Sequence, residues 1–175
     1  MVKKSVEGYH STVFAYGQTG SGKTYTMEGY KYYVNDKQVM VPRVEDAADN
    51  YGLVQRSMQC LLEEVNKAKE HRKVSIYVSF FQLYNERIYD LLNGSMFRKK
   101  TQSAFGGPVG DPAGLKLKWN LFDVYTVENL FTFECTTYEQ IMNLFHFGIR
   151  NKVIGSHKMN LSSSRSHTIF TVTLE

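Results

Sequence analysis

The run Gly17-Gln18-Thr19-Gly20-Ser21-Gly22-Lys23-Thr24 leaves this chain few ways to fold. It meets G-x-x-x-x-G-K-[ST] at every fixed position, the loop whose successive backbone N–H groups curl around a phosphate where a helix begins. Glycines let the main chain turn and approach an anion closely. Lys23 sets an ammonium against β- and γ-phosphates, Thr24 offers a hydroxyl to Mg²⁺, and the helix start adds its positive dipole end. The apolar, β-rich Thr12–Tyr16 just before the loop is expected to be a buried strand of a mostly parallel sheet, covered on both faces.

A chain of 175 residues, 42% of them hydrophobic and 14% aromatic, is long enough to bury a core and is expected to form one domain. The net charge of +4 permits an acidic partner without demanding one, and no nucleic-acid partner is expected. Cys60 and Cys135 lack metal spacing and make no disulfide framework. The start, Met1-Val2-Lys3-Lys4, leads into no apolar core of a signal peptide, and no apolar run reaches membrane-spanning length. A cytoplasmic protein without a membrane partner is the expectation.

Past Thr24 a helix is expected to run only to Glu28, where Gly29 weakens it. Tyr30 to Asn50 reads as a surface excursion with a small hairpin. Val54, Met58, Leu61, Leu62, Val65 and Ala68 then recur at helical steps. Val74 to Leu92 carries a strand signal that Asn93-Gly94 breaks. Between residues 95 and 118, Arg98, Lys99, Lys100, Lys116 and Lys118 face a single acid, Asp111, in a Gly/Pro-punctuated loop, a solvated face or a docking site for an acidic partner. Two β segments, Phe122–Val127 and Phe131–Cys135, are expected to join at Glu128-Asn129. Thr137 and Gln140 read as a capping box opening a helix with Ile141, Leu144 and Phe145 on its apolar face. Thr168–Leu174 alternates as a last strand.

A second polar segment, Asn160-Leu161-Ser162-Ser163-Ser164-Arg165-Ser166-His167, offers clustered hydroxyls beside a guanidinium. Such groups complete Mg²⁺ coordination, steer a water or form a charged latch. Together with Ala15–Met27 around the phosphate loop, Asn160-x-x-Ser163-Ser164-Arg165-Ser166-His167 resembles the motor domain of a kinesin. Tyr84–Leu92 and Gly8-Tyr9 resemble stretches of the same family, in the same order.

The resemblance implies an α/β phosphate-loop NTPase with a central, mainly parallel sheet and helices on both faces. It implies ATP across Gly17, Gln18, Thr19, Gly20, Ser21, Gly22, Lys23 and Thr24, with Tyr25 beside adenine and Asn160 in the first switch loop. Mg²⁺ would be held by Thr24 and Ser164. Ser163 would stand near the γ-phosphate and its attacking water, with Arg165 the cationic half of a latch and Lys23 neutralising charge on the transferred phosphoryl. The implied activity is ATP hydrolysis coupled to movement on microtubules, at the cytoskeleton, with the basic loop Arg98 to Lys118 facing the acidic track. Residues 1–175 match an interior part of such a domain, without its first strand and without the D-x-x-G segment that partners Arg165. The chain by itself is therefore expected not to sustain hydrolysis, and a nucleotide-binding fragment or interaction module is the alternative. A kinase or small GTPase is disfavoured by Asn160-x-x-Ser163-Ser164-Arg165.

Overall fold

Met58, Leu61, Leu62 and Val65 fall on one side of a 3.6-residue period, and in the computed structural model of the chain they are the buried stripe of helix α3 (Leu53–Ala68). The structure describes residues 1–34, 40–43, 51–69, 71–94, 114–119, 125–156 and 166–175. Three further helices flank α3 among them: α1 (Val2–Val6), for which the sequence carries no signal, α2 (Lys23–Glu28) and α4 (Tyr138–Ser156). α2 ends where glycine allows it to, since Gly29 takes φ 74° as the helix turns off. The start of α4 is capped as its sequence suggests: the Gln140 N–H donates to Thr137 Oγ1 at 3.3 Å. The Gln140 carboxamide reaches back to the Thr136 N–H at 2.7 Å rather than to Thr137.

Strand β3 (Ile76–Tyr84) organises the main sheet. β4 (Arg87–Asp90) and β7 (Phe133–Cys135) share one of its edges. β8 (Ser166–Leu174) takes the other along its whole length, from Ile76 opposite Leu174 to Tyr84 opposite Ser166. Two small hairpins lie apart from it. β1 (Tyr32–Val34) pairs with β2 (Met40–Pro42) inside the expected excursion, and β5 (Leu117–Trp119) pairs with β6 (Tyr125–Val127).

Ile76, Val78 and Phe80 point from β3 into one cluster with Leu61, Leu62 and Val65 of α3 and Ile141, Phe145 and Ile149 of α4. Phe80 stacks on Phe145 at 5.6 Å between centroids and meets Phe170 of β8 edge-on at 5.2 Å. At the end of β4, Asp90 is fully buried and accepts the N–H groups of Leu92 and Phe131, each at 2.8 Å. Burial raises its carboxyl above the usual range, against the opposing pull of those backbone bonds.

Three expectations need correction. The sheet is antiparallel, not mainly parallel, at every registered pair among the described residues. For one pair the cause is local: Asn85 and Glu86 turn at φ 47° and 61°, so Val74 to Leu92, one strand signal in the sequence, folds back as the β3–β4 hairpin. Among the described residues, helices α3 and α4 join the core on one face, whereas Ile169 and Thr171 on the outer face of β8 are exposed. The alternating burial of β8 is that of an antiparallel strand wetted on one side. Thirdly, Thr12–Tyr16 is neither buried nor a strand. Phe14 is 80% and Tyr16 94% exposed. An apolar run becomes a strand only when neighbours take up its N–H and C=O groups. No described strand pairs with these residues.

The two β segments joined at Glu128-Asn129 are β6 and β7, and they take different partners, β6 pairing with β5 and β7 with β3. Asn129, at φ 58°, makes the turn that sends them apart. Ser166 and His167 belong to β8 rather than to the serine-rich segment. Phe122–Val124 lie outside the described residues.

Candidate functional site

Three glycines give the loop its shape: Gly17, Gly20 and Gly22 take φ 151°, 84° and 87°. At Gly17 a Cβ would lie 2.7 Å from Ser21 Oγ and displace that hydroxyl, and φ 151° strains any L side chain. Between them the Ser21 N–H donates to the Gln18 carbonyl at 3.2 Å, closing the turn. Gly22 is the left-handed residue that starts α2, and its carbonyl takes the first helical bond, from Thr26 N–H at 2.8 Å.

Lys23 folds back over this turn. Its Nζ donates to the carbonyls of Gly17 and Gln18, 2.7 Å from each. The ammonium is thus held at the mouth of the loop by neutral acceptors. Exchanging these for anionic phosphate oxygens sets two opposite full charges against each other in place of a charge against a carbonyl dipole, which strengthens each contact. Thr24 and Tyr25 are exposed on the first turn of α2, with the Tyr25 ring 48% accessible. Among the described residues no group of His, Cys, Asp and Glu could hold a metal ion. The hydroxyl of Thr24 suits Mg²⁺, which keeps its waters and is commonly bound through substrate phosphates with few protein ligands.

The far end of α2 is fixed much more firmly than its start. Glu28 is buried; Lys152 of α4 donates to its Oε1 at 2.9 Å and the Tyr32 hydroxyl of β1 to its Oε2. The buried amide of Gln55, on α3, donates to the Glu28 carbonyl. Gly52 lets α3 come this close, for a Cβ there would sit 2.4 Å from the Met27 carbonyl oxygen. Alongside, the Tyr30 hydroxyl bonds His146 Nε2. Burial first, then Arg150, hold the His146 imidazole below its usual pKa, while burial pushes Tyr30 up to about 12. Burial and the Glu28 carboxylate raise Tyr32 as well.

Of the residues expected to act on a triphosphate, the structure brings together Gly17, Gln18, Thr19, Gly20, Ser21, Gly22, Lys23, Thr24 and Tyr25. Asn160, Ser163, Ser164 and Arg165 lie outside the described residues, as do Arg98, Lys99 and Lys100 of the basic loop. Lys116 and Lys118 stand exposed at the β5–β6 hairpin. Lys118 pairs across it with Glu128 at 3.0 Å, which offsets part of that charge. The cluster of Glu28, Tyr32, Gln55 and Lys152 has no sequence signal, because Lys152 is 124 residues from Glu28 and no periodicity links them.

A glycine-lined turn that opens a helix with a lysine folded across it, packed beside helices on a sheet, defines an α/β protein of the phosphate-loop class. The family model of the kinesin motor domain matches residues 1–175. The chain belongs to that family. It is 35% identical over 181 residues to Kinesin-like protein KIN-12C of Arabidopsis thaliana, covering 100% of this chain and 8% of that protein. To Kinesin-like protein KIF15 of Mus musculus it is 33% identical over 184 residues, covering 100% of this chain and 11% of that protein. A solved structure of a fast kinesin, described with its implications for ATPase mechanism and interactions with microtubules, superposes with a TM-score of 0.74 at 25% identity. That match takes in 99% of this chain and 41% of the solved one.

Proposed function

We propose that this chain is the nucleotide-handling part of an ATP-driven microtubule motor. The observation that carries the reading is Lys23, folded across a glycine turn in a chain that matches the kinesin motor domain along its whole length. The backbone N–H groups of Gly17 to Gly22 hold the phosphates, Lys23 offsets charge on the β- and γ-phosphates, and Tyr25 flanks the base. Asn160, Ser163, Ser164 and Arg165 serve as the first switch, with Ser163 steering the attacking water. Thr24 and Ser164 would hold Mg²⁺, which would supply charge neutralisation at the phosphates. Catalysis then rests on positioning and electrostatics.

Lys116 and Lys118 belong to the basic loop beginning at Arg98, whose charge suits the acidic surface of a microtubule. The working place is the cytoskeleton, in the cytoplasm; no helix among the described residues is long and apolar enough to cross a membrane. The chain is read as an interior part of a motor domain in a longer parent protein. The test is ATP turnover by the full-length protein with and without microtubules. Stimulation is the expected result, and turnover indifferent to microtubules contradicts the motor reading while leaving nucleotide binding intact.

A further inference from the structure

Glu28 stands at the junction of four elements. It ends α2, its two carboxylate oxygens are taken by Lys152 of α4 and Tyr32 of β1, and its carbonyl is taken by Gln55 of α3. The Glu28 side chain is 8% and that of Lys152 22% accessible, so this ion pair is shielded from water, unlike Lys4 with Glu7 or Lys67 with Glu64. The α2 helix is a stub. At about 1.5 Å rise per residue, its far end is under two turns from Lys23. A short helix moves as a rigid piece, so whatever seats Glu28 also seats the backbone that carries Lys23 over the loop.

We propose that Glu28 and Lys152 are positioning residues for the triphosphate, acting through α2 on Lys23. The inference rests on the nucleotide reading above and adds to it a pair outside the phosphate loop. The pair touches no phosphate; it fixes where the ammonium sits relative to the Gly17–Gly22 turn. Its loss is therefore felt by ligands that Lys23 reaches, those with β- and γ-phosphates, and not by a nucleoside monophosphate.

The experiment measures Mg·ATP and AMP affinity by fluorescence competition on the full chain, for the unmodified protein, Lys152→Met and Lys152→Arg. Networks linking a remote residue to a site shift affinities by about 2- to 30-fold. Lys152→Met is expected to lose Mg·ATP affinity within that range with AMP affinity unchanged, and Lys152→Arg, which keeps the charge, to restore it. Tyr32→Phe removes a single partner of Glu28 and serves if Lys152→Met does not fold; a smaller loss confined to Mg·ATP is expected. Unchanged Mg·ATP affinity in the folded variants overturns the proposal. So does an equal loss for Mg·ATP and AMP, the mark of a merely structural role. An unmodified protein that fails to bind Mg·ATP overturns the nucleotide reading itself, and this inference with it.

Discussion

Gly148 lies in α4 directly over Phe80, and replacing it with alanine sets two effects of known size against each other. In an exposed helix the change gains about 0.8–1.0 kcal/mol. Here the new Cβ would lie 2.2 Å from Phe80 Cδ1 and 2.7 Å from Cε1. The ring has nowhere to go: it is 2% exposed, with Phe145 on one side and Phe170 on another. Overpacking a core of this kind costs about 1–3 kcal/mol, and a ring confined by two others puts the cost in the upper part of that range. Gly148→Ala is thus expected to destabilise by about 1–2 kcal/mol net. In urea unfolding this lowers the midpoint by about 0.5–1 M with the slope unchanged. Combining it with Phe80→Leu makes room for the methyl, so the double variant is expected to lose less than the sum of the two singles. A midpoint that rises in Gly148→Ala, as for a glycine on an open helix face, refutes the packing described for α4 on β3.

His146 gives the protein a pH dependence of defined sign. Its folded pKa lies below the ordinary 6.5, so in acid the unfolded chain takes up a proton that the folded chain resists, and stability falls as pH drops below that value. The groups around it are the Tyr30 hydroxyl, Arg150 one turn along α4 and the ring of Phe145. His146→Gln keeps an acceptor for Tyr30 without titrating, and thermal melts between about pH 5 and pH 7 are expected to show a shallower decline in this variant. Asp90→Asn turns one of two buried acceptors into a donor facing an N–H, a loss of about 1–3 kcal/mol in chemical unfolding. Because burial raises the folded pKa of Asp90 above 3.8, its advantage over Asn is largest in acid and shrinks as pH rises through the raised value. A gap that widens with pH contradicts this sign.

Local chemistry was legible in the residues themselves. The glycine turn, the six-residue α2 stopped by Gly29, the apolar stripe of α3 and the Thr137–Gln140 cap each depend on neighbours within one or two turns of chain. Strand partners were not legible. Thr12–Tyr16 has the composition of a buried strand but lies exposed, since composition cannot say whether another strand will pair with it. The β3–β4 hairpin was hidden because its turn uses Asn85-Glu86 without a glycine, and Glu86 at φ 61° is a rare occupant of that region. β5 escaped for another reason, a three-residue strand being too short to show alternation. The Glu28 cluster draws in Gln55 and Lys152 from 27 and 124 residues away, and each of its members reads alone as an ordinary polar residue or tyrosine. Its burial arises only when α2, α3, α4 and β1 meet.

The account turns on whether Lys23 and the Gly17–Gly22 turn hold a triphosphate. Titrating Mg·ATP into the unmodified protein and into Lys23→Ala, with thermal melts to show that both are folded, measures this directly. The unmodified protein is expected to bind and to melt at higher temperature as ligand is added. Lys23→Ala, lacking a charge-assisted contact of about 1.5–3 kcal/mol, is expected to bind about 10- to 100-fold more weakly. Equal affinity in the two folded proteins contradicts the assignment of the site.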